Sequence, residues 1–276
     1  MRVLHHRGRP QGAFRAIYAG CVMATRANLE EKLKVLEDHL AAQDESVLAQ
    51  FQERLDMSWI FHDTALEGTV LSFHELKSAI DRDVVSDVSL IPTYDEIRAH
   101  KAAIDLAREF AANKKKHPIT VELLKRLQST LSPDDAEVRD GTWRKETPVH
   151  RLYFHDIAVP DKIAGEMKKL DDWLQDPETR KANSLRTASK LHFKLMQIFP
   201  FTKHTGKLAR LGMNLVLLRA GYPPAIIHST ERQRYYEALK GPSLTLHNLM
   251  VDSLENSIES AIKLFAEQRT GRRAMA

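Results

Sequence analysis

"FPFTKHTGKLAR", residues 199–210, lies between two stretches of helical periodicity, and its reading decides the fold. Pro200 ends the preceding helix, because it has no N–H and disfavours helical geometry in the residue before it. Lys203, His204, Lys207 and Arg210 then crowd around Gly206, a residue that permits positive φ and close backbone approach. Leu208, Leu211, Leu215 and Leu218 define a new apolar stripe from about Lys207. The free N–H groups of that helix start, beside Lys207 and Arg210, favour a phosphate. The alternative is a basic helix start exposed to solvent. A Walker loop is excluded: its first glycine would be Phe201, and Leu208 stands in place of its Ser or Thr.

Working outward, the same period recurs on both sides. Leu29, Leu33, Leu36 and Leu40, then Val47, Leu48, Phe51 and Leu55, are spaced three or four apart. The next helix runs to about Glu67 and breaks at Gly68. Another starts after Ser72, with Glu75 three residues on as a capping box. Ile97, Ile104, Ala107 and Ala111 mark a further helix, and Thr120 opens one that closes before Ser132-Pro133. Residues 133–160 are rich in turn formers and β-branched or aromatic residues, and read as loop with at most a short hairpin. Helical periodicity then returns and continues toward the C-terminus. The expected fold class is all-α, a helical bundle with one short β-hairpin insertion.

Composition narrows the function. The chain has 276 residues, with 41 basic against 37 acidic, a balance that argues against a general nucleic-acid binder. The lone Cys21 excludes an intrachain disulfide and a cysteine metal cluster. "AIYAGC" ends a lead whose apolar run is interrupted by Arg15, and Met23 precedes a helix start. Residues 1–22 are therefore expected to be a disordered or non-native lead. No apolar run of about 18 residues is present, so no spanning helix and a cytoplasmic location are expected.

The loop and its flanks resemble the Fic (Fido) family. Its members carry His-Pro-Phe-x-(Asp/Glu)-Gly-Asn-Gly-Arg-x-x-Arg between two central helices, and 199–210 aligns with it without a gap. "GTWRKETPVHRLYFHDIAVP" resembles the upstream Gly-x-x-Arg and flap segment, and "FHDTALEG" resembles an N-terminal inhibitory helix. The resemblance implies a helical region at 23–95 carrying that helix, a Fic core at 96–240, and a C-terminal helix with a basic tail at 241–276. It also implies transfer of AMP, or another phosphate-containing group, from a nucleotide such as ATP to a protein hydroxyl.

Carried over by position, the resemblance implies a changed chemistry. The motif's general base falls on Phe199, which cannot titrate, and its metal-holding acid falls on Lys203, so Mg²⁺ is not expected to be required. His204 and Thr205 replace a glycine and an asparagine. Lys203, Thr205, Gly206, Lys207 and Arg210 are the expected nucleotide-phosphate contacts, and His204 is the one candidate substitute base, with a surface histidine as the alternative. Glu67 matches the inhibitory glutamate that pairs with the final arginine, although Asp63 stands where a Ser or Thr is expected. Tyr153 and His155 fall on the flap, where a protein target could align, or they simply face solvent. His192 reads as a core histidine. Three functions are compatible: a nucleotide-binding pseudoenzyme acting through a protein partner, an atypical metal-independent transferase, and an adaptor with a vestigial pocket. Self-association is left open.

Overall fold

A computed structural model describes residues 28–80, 91–115, 117–135, 138, 141–148 and 155–274, with side chains described as far as 267. Every regular element among these residues is helical. The hairpin expected within 133–160 falls in part on 136–137, 139–140 and 149–154, outside the described residues; no strand occurs among the described residues of that stretch. The described helices contain none long and apolar enough to cross a membrane.

The chain divides into two compact units. The smaller comprises residues 1–43 and 258–276. It contains helix α1 (28–41), whose Leu29 and Leu36 are buried, as are Ile258, Ala261 and Phe265. His39 stacks on Phe265 with ring centroids 6.4 Å apart, and Lys32 pairs with Glu259 at 2.5 Å.

The larger unit, residues 44–257, carries the motif loop. It opens with α2 (Glu45–Leu66), where the Asp44 side chain accepts from Val47 N. Gly68, at φ +106, ends that run. Helix α3 (Phe73–Ile80) starts on the expected capping box: Ser72 N donates to Glu75 Oε2 at 2.6 Å, and Glu75 N to Ser72 Oγ at 3.1 Å. Then come α4 (Ile91–Ala112) and α5 (Val121–Leu131), the latter N-capped by Thr120. After the irregular stretch follow α6 (Pro160–Gln175), the short α7 (Pro177–Lys181), α8 (Ser184–Ile198) and α9 (Thr205–Arg219). A 3₁₀ turn (Ser229–Glu231), α10 (Arg232–Lys240) and the start of α11 (Ser243–Ala274) complete the unit.

Helix α9 is the centre of this unit. All thirteen residues from Thr205 to Leu217 are buried, so this span has no face turned to solvent. It packs most extensively on α8 and then on α4 and α5. Burying a whole helix also buries its polar members, Thr205, Lys207, Arg210 and Asn214. Each must then find a partner inside the protein.

Candidate functional site

The loop from Phe199 to His204 is held at both ends in an uncommon backbone conformation. Phe199 caps α8 at φ 49 and His204 caps α9 at φ 57, both left-handed and neither a glycine. Each such residue costs about 1–2 kcal/mol and persists only where its surroundings enforce it. Here they do, through the carbonyls. Arg144 Nε donates to Phe199 O at 2.6 Å and Arg144 N to Pro200 O at 3.0 Å. Thr205 Oγ1 donates to Phe201 O at 2.8 Å, and Gln128 Nε2 to Lys203 O at 2.9 Å. Gly206 permits positive φ but does not use it, because it already lies in the first turn of α9; the left-handed residues of the loop are Phe199 and His204.

The close approach expected at Gly206 is present. A Cβ there would lie 2.5 Å from Glu67 Oε1 and 3.2 Å from an Arg210 guanidinium nitrogen. A carboxylate therefore stands against the start of α9, whose N-cap His204 makes no side-chain capping bond. First-turn N–H groups of a helix have no intrahelical acceptor, and its positive end attracts an anion. The protein supplies that anion itself.

The two buried motif cations, Lys207 and Arg210, are internally neutralised. Lys207, 2% exposed, pairs with Glu96 of α4 at 2.5 Å. Arg210 donates through Nε to Asp63 Oδ1 at 2.7 Å, and through NH2 to Glu67 Oε1 at 3.0 Å and to Asp63 O at 3.2 Å. Both Asp63 and the guanidinium are buried, whereas Glu67 keeps 16% of its side chain exposed. The expected Glu67–Arg210 contact thus exists, but Asp63 is the more deeply buried partner. Burial alone would push the Asp63 carboxyl up; Arg210 first, then His100, hold it below the usual carboxylate range. His100 Nε2 lies 3.3 Å from Asp63 Oδ2, close enough to attract but not aligned as a hydrogen bond.

Behind the ion pair lies a neutral polar layer. Arg210 NH1 donates to Tyr235 OH at 3.4 Å, and that hydroxyl is 2.9 Å from His192 Nε2. Burial pushes the His192 pKa down to about 3, and Arg210 adds to the effect. His192 is therefore neutral in the fold and protonates in the unfolded chain below its ordinary value of 6.5. Its contribution to stability should be complete above pH 6.5 and fall by about 1.4 kcal/mol per unit on acidification toward pH 4; His62, pushed down to about 4 mainly by burial, adds a slope of the same sign. Asp63 acts lower, because its depressed value places its loss below the ordinary carboxylate range. Urea unfolding from pH 7 to 4.5 measures the slope, and His192→Gln should reduce it by about 1.4 kcal/mol per unit while the share of His62 remains. An unchanged slope would locate the acid sensitivity elsewhere.

The remaining expected residues are scattered in role. Lys203 is exposed, while Thr205 is fully buried and its hydroxyl is bonded to the Phe201 backbone. Phe199 is 1% exposed. His204 is half-buried rather than a surface histidine, with Nδ1 3.8 Å from Glu96 Oε1. Burial foremost, and then Lys207, lower its pKa. His155 does not face solvent: it is 4% exposed, and Nε2 lies 2.9 Å from Met196 O. Tyr153 lies outside the described residues.

Three partners, Asp63, Glu96 and Gln128, escaped sequence reading. Asp63 was legible in principle, since it and Glu67 are four apart on one helix face and both reach Arg210. Glu96 and Gln128 carry no local signal and meet the loop only through the fold; Arg144 is marked as the arginine of the Gly-x-x-Arg segment, though its bonds to the loop carbonyls are not.

The Fic/DOC family profile matches residues 118–217, the span that contains Arg144, the loop and most of α9. Among curated relatives, "Protein adenylyltransferase fic-1" of Caenorhabditis briggsae is 26% identical over 197 residues, covering 71% of this chain and 38% of that protein. "Protein adenylyltransferase Fic" of Culex quinquefasciatus is 30% identical over 181 residues, covering 66% and 36%. The chain thus spans little more than a third of the length of these relatives. Two solved structures share the fold. Fic-1 of C. elegans (residues 134–508) superposes with a TM-score of 0.70 at 23% identity, covering 91% of this chain and 75% of that one. A Fic domain-containing signaling protein of Bacteroides thetaiotaomicron gives 0.73 at 22%, covering 88% and 98%. Residues 118–217 are therefore a Fic/DOC-family domain, within a chain whose helical fold is the one these neighbours share.

Proposed function

We propose that this protein binds a nucleotide through its phosphates at the start of α9, and that it does not carry out ordinary AMP transfer. The observation that carries the second statement is Phe199. It stands where the family motif has its histidine, is 1% exposed, and offers no atom that accepts a proton. Losing a general base commonly costs on the order of 10²–10⁴ in rate. The first statement is supported by the cradle: a glycine admitting an anion to contact distance, a helix start without a side-chain cap, and Arg210 alongside. Glu67 fills that cradle as an internal competitor, so phosphate entry requires its carboxylate to move aside. The α2 segment thereby acts as an inhibitory helix.

The nucleotide phosphates would meet Gly206, the first-turn N–H groups and Arg210, with Lys203 supplying exposed positive charge nearby. Bound nucleotide would bring the phosphoanhydride that family transfer chemistry uses. Lys203 occupies the position of the family's metal-binding acid, and a lysine repels a cation. Nucleotide should therefore bind equally well in EDTA and in Mg²⁺, measured by thermal shift; strictly Mg²⁺-dependent binding would overturn the charge-replacement argument. Incubation with labelled ATP should leave the protein unlabelled, and Phe199→His alone should not restore full transfer, because Lys203 and Thr205 remain. Robust labelling that survives His204→Ala would show that the proton acceptor lies elsewhere.

A further inference from the structure

Helix α9 joins two unlike places. Its first residue touches the motif loop; its last, Arg219, lines a cavity of about 370 Å³ near the opposite end of the helix, about 21 Å away at 1.5 Å per residue. Three cations line this cavity, Lys114 following α4, Arg180 of α7 and Arg219, and no carboxylate does. Its hydroxyls come from Thr179, Ser184 and Thr187. The remaining lining is mainly apolar, including Ile119, Leu174 and Val216.

The cations are anchored on neutral acceptors. Arg219 NH2 donates to Phe110 O at 3.0 Å and to His117 O. Arg180 donates to Leu174 O at 3.5 Å and to the Gln175 side chain. Asp176 is the nearby acid, and its carboxylate caps α7 through Thr179 N at 2.9 Å and Thr179 Oγ1 at 3.1 Å. Among the described residues no ion pair engages Lys114, Arg180 or Arg219. Arg219 Nε is buried and has no acceptor among the described residues. Burial pushes the Arg219 pKa down to about 10, so the charge is retained at neutral pH.

A concave surface lined by one sign of charge focuses potential and concentrates the opposite ion. A buried N–H left without an acceptor is costly, and an incoming acceptor recovers that cost. The volume lies within the range of small-molecule sites, and the pattern of apolar lining with a few polar groups is theirs as well. We propose that this cavity is a second, independent binding site, for a small phosphate ester whose organic part is apolar or aromatic. The phosphate would sit among Arg219, Arg180 and the hydroxyls, and the organic part against Leu174 and Val216.

The test uses the full chain, ¹⁵N-arginine labelling and phenyl phosphate as probe, at constant ionic strength. The Arg219 Nε–H resonance, assigned by its loss in Arg219→Lys, should shift saturably. Lys114→Gln/Arg180→Gln, which changes two exposed side chains and leaves the helix contacts of Arg219 intact, should weaken binding about tenfold. Gly206→Ala, which fills the motif cradle, should leave the shift unchanged, separating this site from the one proposed there. No shift, a shift reproduced by chloride, or a titration the double variant leaves intact would each overturn the site. A shift lost in Gly206→Ala would assign the effect to the motif loop instead, and equally overturn it.

Discussion

Replacing Arg210 by alanine should lower the unfolding free energy by about 3–5 kcal/mol, the cost typical of removing one member of a buried ion pair. The reason lies in what stays behind. Asp63 is wholly buried, accepts from Arg210 Nε at 2.7 Å, and has in His100 only a neutral, poorly aligned neighbour. Its charge would lose its main compensation, and Tyr235 would lose a donor. Asp63→Ala should be comparably damaging, since it strands the guanidinium. The double substitution should cost less than the sum, a coupling that a urea-unfolding mutant cycle reads directly. Additive effects would show that the two groups do not rely on each other. Arg210 is thus first a structural residue, and a phosphate must share it with Asp63.

Glu67→Gly should tighten nucleotide binding roughly tenfold while changing stability by no more than about 1 kcal/mol. The carboxylate removed is the more exposed partner of Arg210 and the atom nearest Gly206, so its loss empties the cradle without stranding a buried charge. Asp63 remains to hold the guanidinium. Affinity should be measured by calorimetry beside an unfolding titration of the same samples. An affinity that does not move would mean that "ALEG" is only a helix end. Gly206→Ala is the converse experiment: its Cβ displaces the flexible end of Glu67 yet occupies the anion's place, so nucleotide binding should be lost in a folded protein.

The helices were legible because their causes are local. The Ser72–Glu75 capping box, the Thr120 cap and the stop at Pro200 each work within four residues, and the apolar period names the buried face. The location of the motif loop was legible for the same reason. Its electrostatics was legible only in the Glu67–Arg210 pair, which the family resemblance implied. Four basic or titratable residues in twelve read as an open anion site, yet the fold brings Glu96 to Lys207 across 111 positions and Asp63 to Arg210 across 147. Pairing of buried charge is a tertiary event, and no window of sequence contains both partners. His155 was misjudged likewise: a polar residue in a turn-rich stretch reads as surface until Met196 O comes to lie beside it.

The way the loop is fastened has a consequence for how this family's chemistry can drift. Phe199, Pro200, Phe201 and Lys203 are held by their carbonyls, which every amino acid has, and the side-chain donors, from Arg144, Gln128 and Thr205, lie outside the 199–204 stretch. Shape and reactivity are therefore inherited separately. Side chains at 203 and 204 can be exchanged without moving the backbone that presents them, whereas a change at Arg144 would release it. A lineage could lose its proton acceptor and acquire a lysine with the scaffold intact, and an engineer could return along the same route, rewriting the loop's side chains against a frame already in register.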